Sequence, residues 1–330
     1  MANKTIKRVV LPLGRMQFEE ETTDEWGVTY SNYGRTLKHV DPSLFTCEEY
    51  TIPEGVEEVI DDAFLMRDSK LRKILFPSTL RKMGCNTFLK HPLVELELPE
   101  GLIEVPDYMC EGCRELKRIV LPSTVKRVMH GAFNCCEQLY EINLPDSIDH
   151  IAGSVFRHCE SLRQIVLPPK LKCICSELFY CSGIESIEIP QNITNICYWA
   201  FWGCNHLKRL VIPESVSNIE YGIVSAHEGF EGIECHAKGY HVENDALIND
   251  ENQELLCCWT RQKHYTVPSC VKRIADMGGN DIVETITVKQ PVELTSDTFA
   301  SDINLRHVDF QGGVAGIYES TFWNCPKIKK

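Results

Sequence analysis

Cys110 and Cys113 form a lone C-x-x-C pair, a spacing that could ligate a metal or run thiol–disulfide exchange. Cys173, Cys175, Cys181 and Cys197, with His91 and His158, lie in nearby stretches of the same pattern. A structural zinc site usually needs two such pairs, or a pair plus spaced histidines. A redox site needs an electropositive, partly open setting, and nothing around this pair supplies one. Metal and cofactor are therefore both expected to be absent. The chain carries seventeen cysteines, a high and odd count. In an oxidising compartment that number implies disulfides and a leftover thiol; in a reducing one it implies thiols used as small hydrophobes. Cys113, Cys136, Cys159, Cys204 and Cys325 occupy one recurring position that Ser182 and His91 also fill, so the position reads as a packing slot. A metal-binding or redox protein built on these cysteines is kept as an alternative.

Other catalytic signatures are missing. The sequence has no G-x-S-x-G, no phosphate-cradling glycine run and no H-E-x-x-H. Asp61-Asp62 and the run 19–21 read as surface charge, and no enzyme is expected. A net charge of −13 and a pI near 5.4 exclude the basic footprint of a nucleic-acid binder. No apolar run is long enough to span a bilayer. The opening residues MANKTIKRVVLPLGRM lack the apolar stretch of a signal peptide, which points to the cytoplasm, or to export and the cell surface if a leader was removed.

What positions the cysteines is a repeat. Residues 116–136, LKRIVLPSTVKRVMHGAFNCC, are spelled again before and after in the frame P-x-x-[LVI]-x-x-[IVM]-x-x-x-[AT]-F-x-x-C-x-x-L-x-x-[IL]-x-[LI]-P. Its prolines fall at Pro53, Pro77, Pro99, Pro122, Pro145, Pro168, Pro190 and Pro213, spaced 24, 22, 23, 23, 23, 22 and 23. Such a period marks a solenoid whose units bury their apolar side only by stacking. Leu116, Ile119 and Leu121 fit a short half-buried strand ended by proline, and Val125 and Val128 make a second inward pair. Phe64, Phe88, Phe133, Phe156, Phe179, Phe201, Phe299 and Phe322 should stack as an internal spine, thinned where Cys110 and Val224 replace phenylalanine.

The organisation predicted is a divergent entry over 1–52, regular rungs of about 23 residues over 53–235, a β-hairpin insertion over 236–267 and degenerate rungs over 268–330, about ten rungs in all. In the entry, 5–12 resembles the strand part of a rung, and 28–40 reads as a hairpin around Asn32-Tyr33-Gly34. Residues 227–241 do not fit the frame. Residues 245–259 then repeat the entry's arrangement, with a turn at 249–253 before Tyr265-Thr266-Val267-Pro268.

From about residue 50 to 330 this frame resembles the BspA-like class of leucine-rich repeat, found in bacterial surface antigens. The resemblance implies a right-handed, curved solenoid of mainly short parallel β-strands with turns and few helical segments. It also implies a role in adhesion or host-protein binding, since members of the class are commonly exported.

Two surface features could bind a partner. Outward charges alternate in sign from rung to rung: Arg72 and Lys73, Glu95, Lys117 and Arg118, Glu141, Arg163, Glu185, Lys208 and Arg209. At the inter-strand spacing of about 4.8 Å, alternation makes salt-bridge ladders, or a mixed-charge face that a protein could recognise. In CYWAFWGC, Tyr198, Trp199 and Trp202 fall at variable positions, joined by Tyr180 one rung earlier and Tyr221 one rung later. They either pack on the solenoid flank or anchor an interface. The expectation is a non-catalytic scaffold that binds an unidentified protein, with no nucleic acid and no membrane insertion; the alternative is an exported adhesin or host-interaction protein.

Overall fold

The computed structural model describes residues 3–10, 16–66, 68–277 and 279–328, with side chains from residue 21 onward. The chain divides into two compact units, Met1–Lys170 and Leu171–Lys330. Each is a β-solenoid, and the described residues complete about twelve turns without a helix. No helix among the described residues is long and apolar enough to cross a membrane.

Most regular rungs contribute two short strands to two parallel columns, and the rungs ending at Pro168 and Pro190 have no strand in the first column. In the first unit Glu95–Glu97, Arg118–Val120 and Glu141–Ile142 pair in one column, and Glu104–Val105, Arg127–Val128 and His150–Ile151 in the other. The apolar member of each pair points inward: Leu96, Ile119, Val105, Val128 and Ile151 are all buried. The phenylalanines stack as expected, with ring centroids 5.4 Å apart for Phe64 and Phe88, 6.1 Å for Phe133 and Phe156, and 5.5 Å for Phe179 and Phe201. Fully burying one such side chain is worth about 1.5–3 kcal/mol.

Each unit also contains an antiparallel meander that seeds a parallel column. In the first, Asn3–Val10, Met16–Thr23, Val28–Ser31 and Thr36–Val40 run antiparallel, and Thr36–Val40 then pairs parallel with Glu58–Val59. Residues 5–12 are thus not a rung strand: 3–10 form a long hairpin arm, and 11–15 lie outside the described residues. In the second unit Tyr240–Glu243, Ala246–Asn249 and Glu254–Cys258 form the meander, which feeds Arg273–Ile274, Val292–Leu294 and Val314–Ala315. The tyrosines before the following prolines are buried and tied to their meanders. Tyr50 donates to Asp24 across 2.6 Å, and Tyr265 donates to the Asn244 carbonyl across 2.9 Å. Residues 227–241, which the frame did not fit, hold one more column strand, Gly232–Cys235, paired with Arg209–Ile212. Phe230 and Ile233 keep that turn's core filled although its proline and slot phenylalanine are gone.

Candidate functional site

The cysteine slot is a core slot with a further demand. Cys113 donates its thiol to the carbonyl of Phe88 at 3.0 Å, Cys136 to that of Cys110 at 3.2 Å, and Cys159 to that of Phe133 at 3.3 Å. Cys204 and Cys325 repeat the bond to Phe179 and Phe299. His91 makes it to Phe64 through Nε2 at 2.7 Å, while its Nδ1 accepts from Ser69. The slot therefore selects a short donor that reaches the preceding turn's carbonyl. Five cysteines and His91 make that bond, whereas Ser182 meets Cys204 Sγ at 3.4 Å. Cys110 and Cys113 are fully buried, and burial pushes the Cys110 thiol up, against the thiolate that a ligand or nucleophile needs. All seventeen cysteines stand as free thiols.

The charged columns form inter-rung ion pairs. Lys73 lies 3.8 Å from Glu49, Arg118 3.0 Å from Glu141, and Arg72 2.8 Å from Glu115; Arg209 pairs with Glu234. Lys117, Arg163 and Lys208 are exposed. Most of these charges are partnered within the solenoid, which is the ladder arrangement. Exposed pairs of this kind add little to stability and leave the face close to electrically neutral.

The aromatic residues come together in the second unit. Tyr180 stacks on Trp202, 5.0 Å between centroids and 13° between planes, and Tyr198 stacks on Tyr221 at 6.2 Å and 17°. Trp199 stands edge-on to Tyr198 at 5.5 Å. Trp199 also has a left-handed backbone, φ 56°, at a position where other turns carry Asp62, Asn86, Gly131 or Gly222. A bulky side chain there costs about 1–2 kcal/mol, and such a cost is commonly borne where the side chain has a use. One turn on, Gly222 makes the room: a Cβ would collide with the Asp276 carboxylate and lie 2.7 Å from Trp199 Cδ1. Trp202 leans on Gly279, whose added Cβ would lie 2.9 Å from the indole.

Tyr180, Trp199, Trp202 and Tyr221 form one wall of a groove of about 660 Å³, and Tyr198 stacks behind them outside its lining. The opposite side is built by later turns of the same unit and carries Asp276, Glu293, Asp297, Tyr318 and Trp323. Tyr318 and Trp323 are 51% and 64% exposed, so the groove has an open aromatic rim. Its one lining cation, Arg273, is directed to Glu254 at 3.3 Å, and no lysine lines it. Burial first, then the Asp276 and Asp297 carboxylates, push the Tyr221 phenol above its ordinary value. Sequence reasoning found the near wall and missed the far one, because Asp276, Asp297, Tyr318 and Trp323 lie 55 to 143 residues from Tyr180–Tyr221 partners in rungs whose frame is degraded. Aromatic faces and several carboxylates in one recess suit a cationic group.

The family model of the BspA type leucine rich repeat region, in six copies, matches residues 43–162, 127–253 and 259–330. Among solved structures, a leucine rich cell surface protein of Faecalibacterium prausnitzii A2-165 superposes with a TM-score of 0.65 at 20% identity, covering 94% of this chain and 79% of that one. A leucine-rich repeat protein of Eubacterium ventriosum ATCC 27560 gives a TM-score of 0.45 at 16% identity, covering 94% and 75%. No curated protein matches the sequence.

Proposed function

The chain belongs to the BspA-type leucine-rich-repeat family, and from that premise we propose that it is a non-catalytic scaffold that binds a protein partner in the groove between Trp199 and Trp323. The partner presents a lysine or arginine side chain to it. The observation that carries this reading is the pairing of stacked aromatic rings with Asp276, Glu293 and Asp297 around one recess whose single arginine is turned to Glu254. The strand face is the weaker surface, because Arg72, Lys73, Arg118 and Arg209 already have acidic neighbours.

Each cation–aromatic contact is worth about 0.5–2 kcal/mol, so loss of one rim ring should weaken binding about 2- to 30-fold. Selection of binders from a displayed random-peptide library tests the proposal. Enrichment of lysine or arginine, with binding weakened by Trp323→Ala and by Asp297→Asn, supports it. Peptides without basic residues, or binding indifferent to both substitutions, would refute it.

A reducing compartment suits the same reading. Five cysteines serve as hydrogen-bond donors to the neighbouring turn, and a disulfide would remove that donor.

A further inference from the structure

Away from the groove, the meander of the second unit gathers a mixed set of donor atoms. His241 and Glu243 are two residues apart on the strand Tyr240–Glu243, so their side chains share a face. The strand is the outer one of its sheet. Cys270 reaches the same place from the turn after Pro268. In regular rungs its position holds Thr79, Thr124 or Ser147, whose hydroxyls donate to the carbonyls of Val56, Leu102 and Val125 one turn back. Cys270 departs from that role, and its thiol is directed instead to Glu243 Oε2 at 3.4 Å.

The spacing of the three groups is that of a coordination shell. His241 Nε2 lies 3.6 Å from Glu243 Oε2, and the nitrogen, oxygen and sulfur all lie within 4.8 Å of one another. Tetrahedral zinc, with bonds of about 2.0–2.3 Å, sets its donors about 3.3–3.6 Å apart. Two edges of such a tetrahedron are therefore in place, and the third lies within 4.8 Å.

The support behind the histidine points the same way. Asp250 holds His241 at Nδ1, which leaves Nε2 facing Glu243 and Cys270. A carboxylate on the far nitrogen fixes the tautomer and raises the basicity of a metal-binding imidazole. Asp250 itself sits on a turn braced by the Asn249 side chain, which accepts from the amides of Glu251 and Asn252 at 3.0 and 3.2 Å.

We propose that His241, Glu243 and Cys270 bind one divalent ion of the zinc class, oriented by Asp250. The thiolate and imidazole favour this class over magnesium or calcium, which take oxygen donors. On binding, the Cys270 S–H bond breaks, its proton passes to the solvent and the sulfur lone pair forms the bond to the metal. Thiolate and carboxylate together then balance the charge of the ion. The fourth position is left to water.

Cobalt titration of the full-length, fully reduced chain tests this, followed by displacement with zinc. The expected result is one cobalt per chain with a thiolate-to-cobalt charge-transfer band, reversed by one equivalent of zinc. Cys270→Ser should abolish the band, His241→Ala should weaken binding at least tenfold, and Asp250→Asn should weaken it about 10- to 100-fold. Glu243→Gln, at an exposed position, supplies a variant without a folding burden and should weaken binding as well. No cobalt uptake by the wild type overturns the proposal. So does a band that survives Cys270→Ser and disappears with Cys197→Ser, since it would place the metal at the Cys173–Cys197 contact of 3.6 Å.

Discussion

Cys159 donates its thiol to the carbonyl oxygen of Phe133 one turn earlier, across 3.3 Å, and both residues are fully buried. The slot is thus defined by a bond as well as by a volume. Cys159→Ser keeps a donor, whereas Cys159→Val fills the space and leaves the carbonyl with one bond fewer. The carbonyl still accepts the Cys136 amide, so the lost bond should cost at most the net worth of one hydrogen bond, about 0.5–1.5 kcal/mol, and the valine variant should be the less stable of the two in urea unfolding. The reverse order would show that volume alone governs the slot.

Asp302 stands in the same slot near the C-terminal end and is fully buried. One oxygen accepts the Asn280 amide at 2.5 Å, and the other has no hydrogen-bond partner among the described residues. Burial pushes its carboxyl well above the ordinary value of 3.8, against the lowering effect of the Asn280 bond. A group raised on folding stabilises fully below its unfolded value and loses that contribution as pH rises through the folded one. Asp302→Asn should therefore gain stability over the wild type from about pH 4 upward, by about 1.4 kcal/mol per unit until the folded value is passed. Urea melts across a pH series check this; a gap that does not widen with pH would place a charged Asp302 in the folded state.

Gly222 has φ 64° and lies against Trp199 and Asp276. A methyl group there must displace the carboxylate or the indole, and a left-handed backbone adds about 1–2 kcal/mol of its own. Gly222→Ala should lower the melting temperature and alter the tryptophan fluorescence together. A spectrum and melting temperature identical to the wild type would mean that the groove wall yields without cost.

Thiol reactivity should divide in two. Under denaturing, reductant-free conditions all seventeen cysteines should titrate. In the folded chain, the eight buried ones, including Cys110, Cys113 and Cys258, should be silent. Cys175 should react first, because its contact with Cys173 holds it below the usual thiol range while Cys173 is pushed up to about 12. A fast phase that persists in Cys175→Ser would assign the reactive thiol elsewhere. Fewer than seventeen groups on denaturation would show disulfides.

The rungs were legible because period and stacking are the same fact. Apolar residues at Leu116, Ile119, Val125, Val128 and Phe133 recur at an interval that only a parallel stack can satisfy, and each is buried. Other features left no signal. Left-handed backbone recurs two residues before the slot phenylalanines of the regular rungs, at Asp62, Asn86, Ser154, Glu177 and Trp199. These side chains share no chemistry, so the conformation is imposed by the stack. The strand Gly232–Cys235 was hidden because its turn keeps only Phe230 and Ile233 of the usual apolar set. The far wall of the groove and the gathering of His241 with Cys270 depend on where distant turns bring side chains, and periodicity does not encode that.

The two meanders bear on how the chain reaches its fold. Parallel rungs demand that residues some 23 positions apart meet before any bond rewards them, an entropic toll that grows with the loop closed. An antiparallel meander needs only a short turn. The register Thr36 to Glu58 in one unit and Glu254 to Arg273 in the other then hands a finished edge to the next rung. Each unit thus contains a short-range pairing whose edge strand is already in register with the next rung.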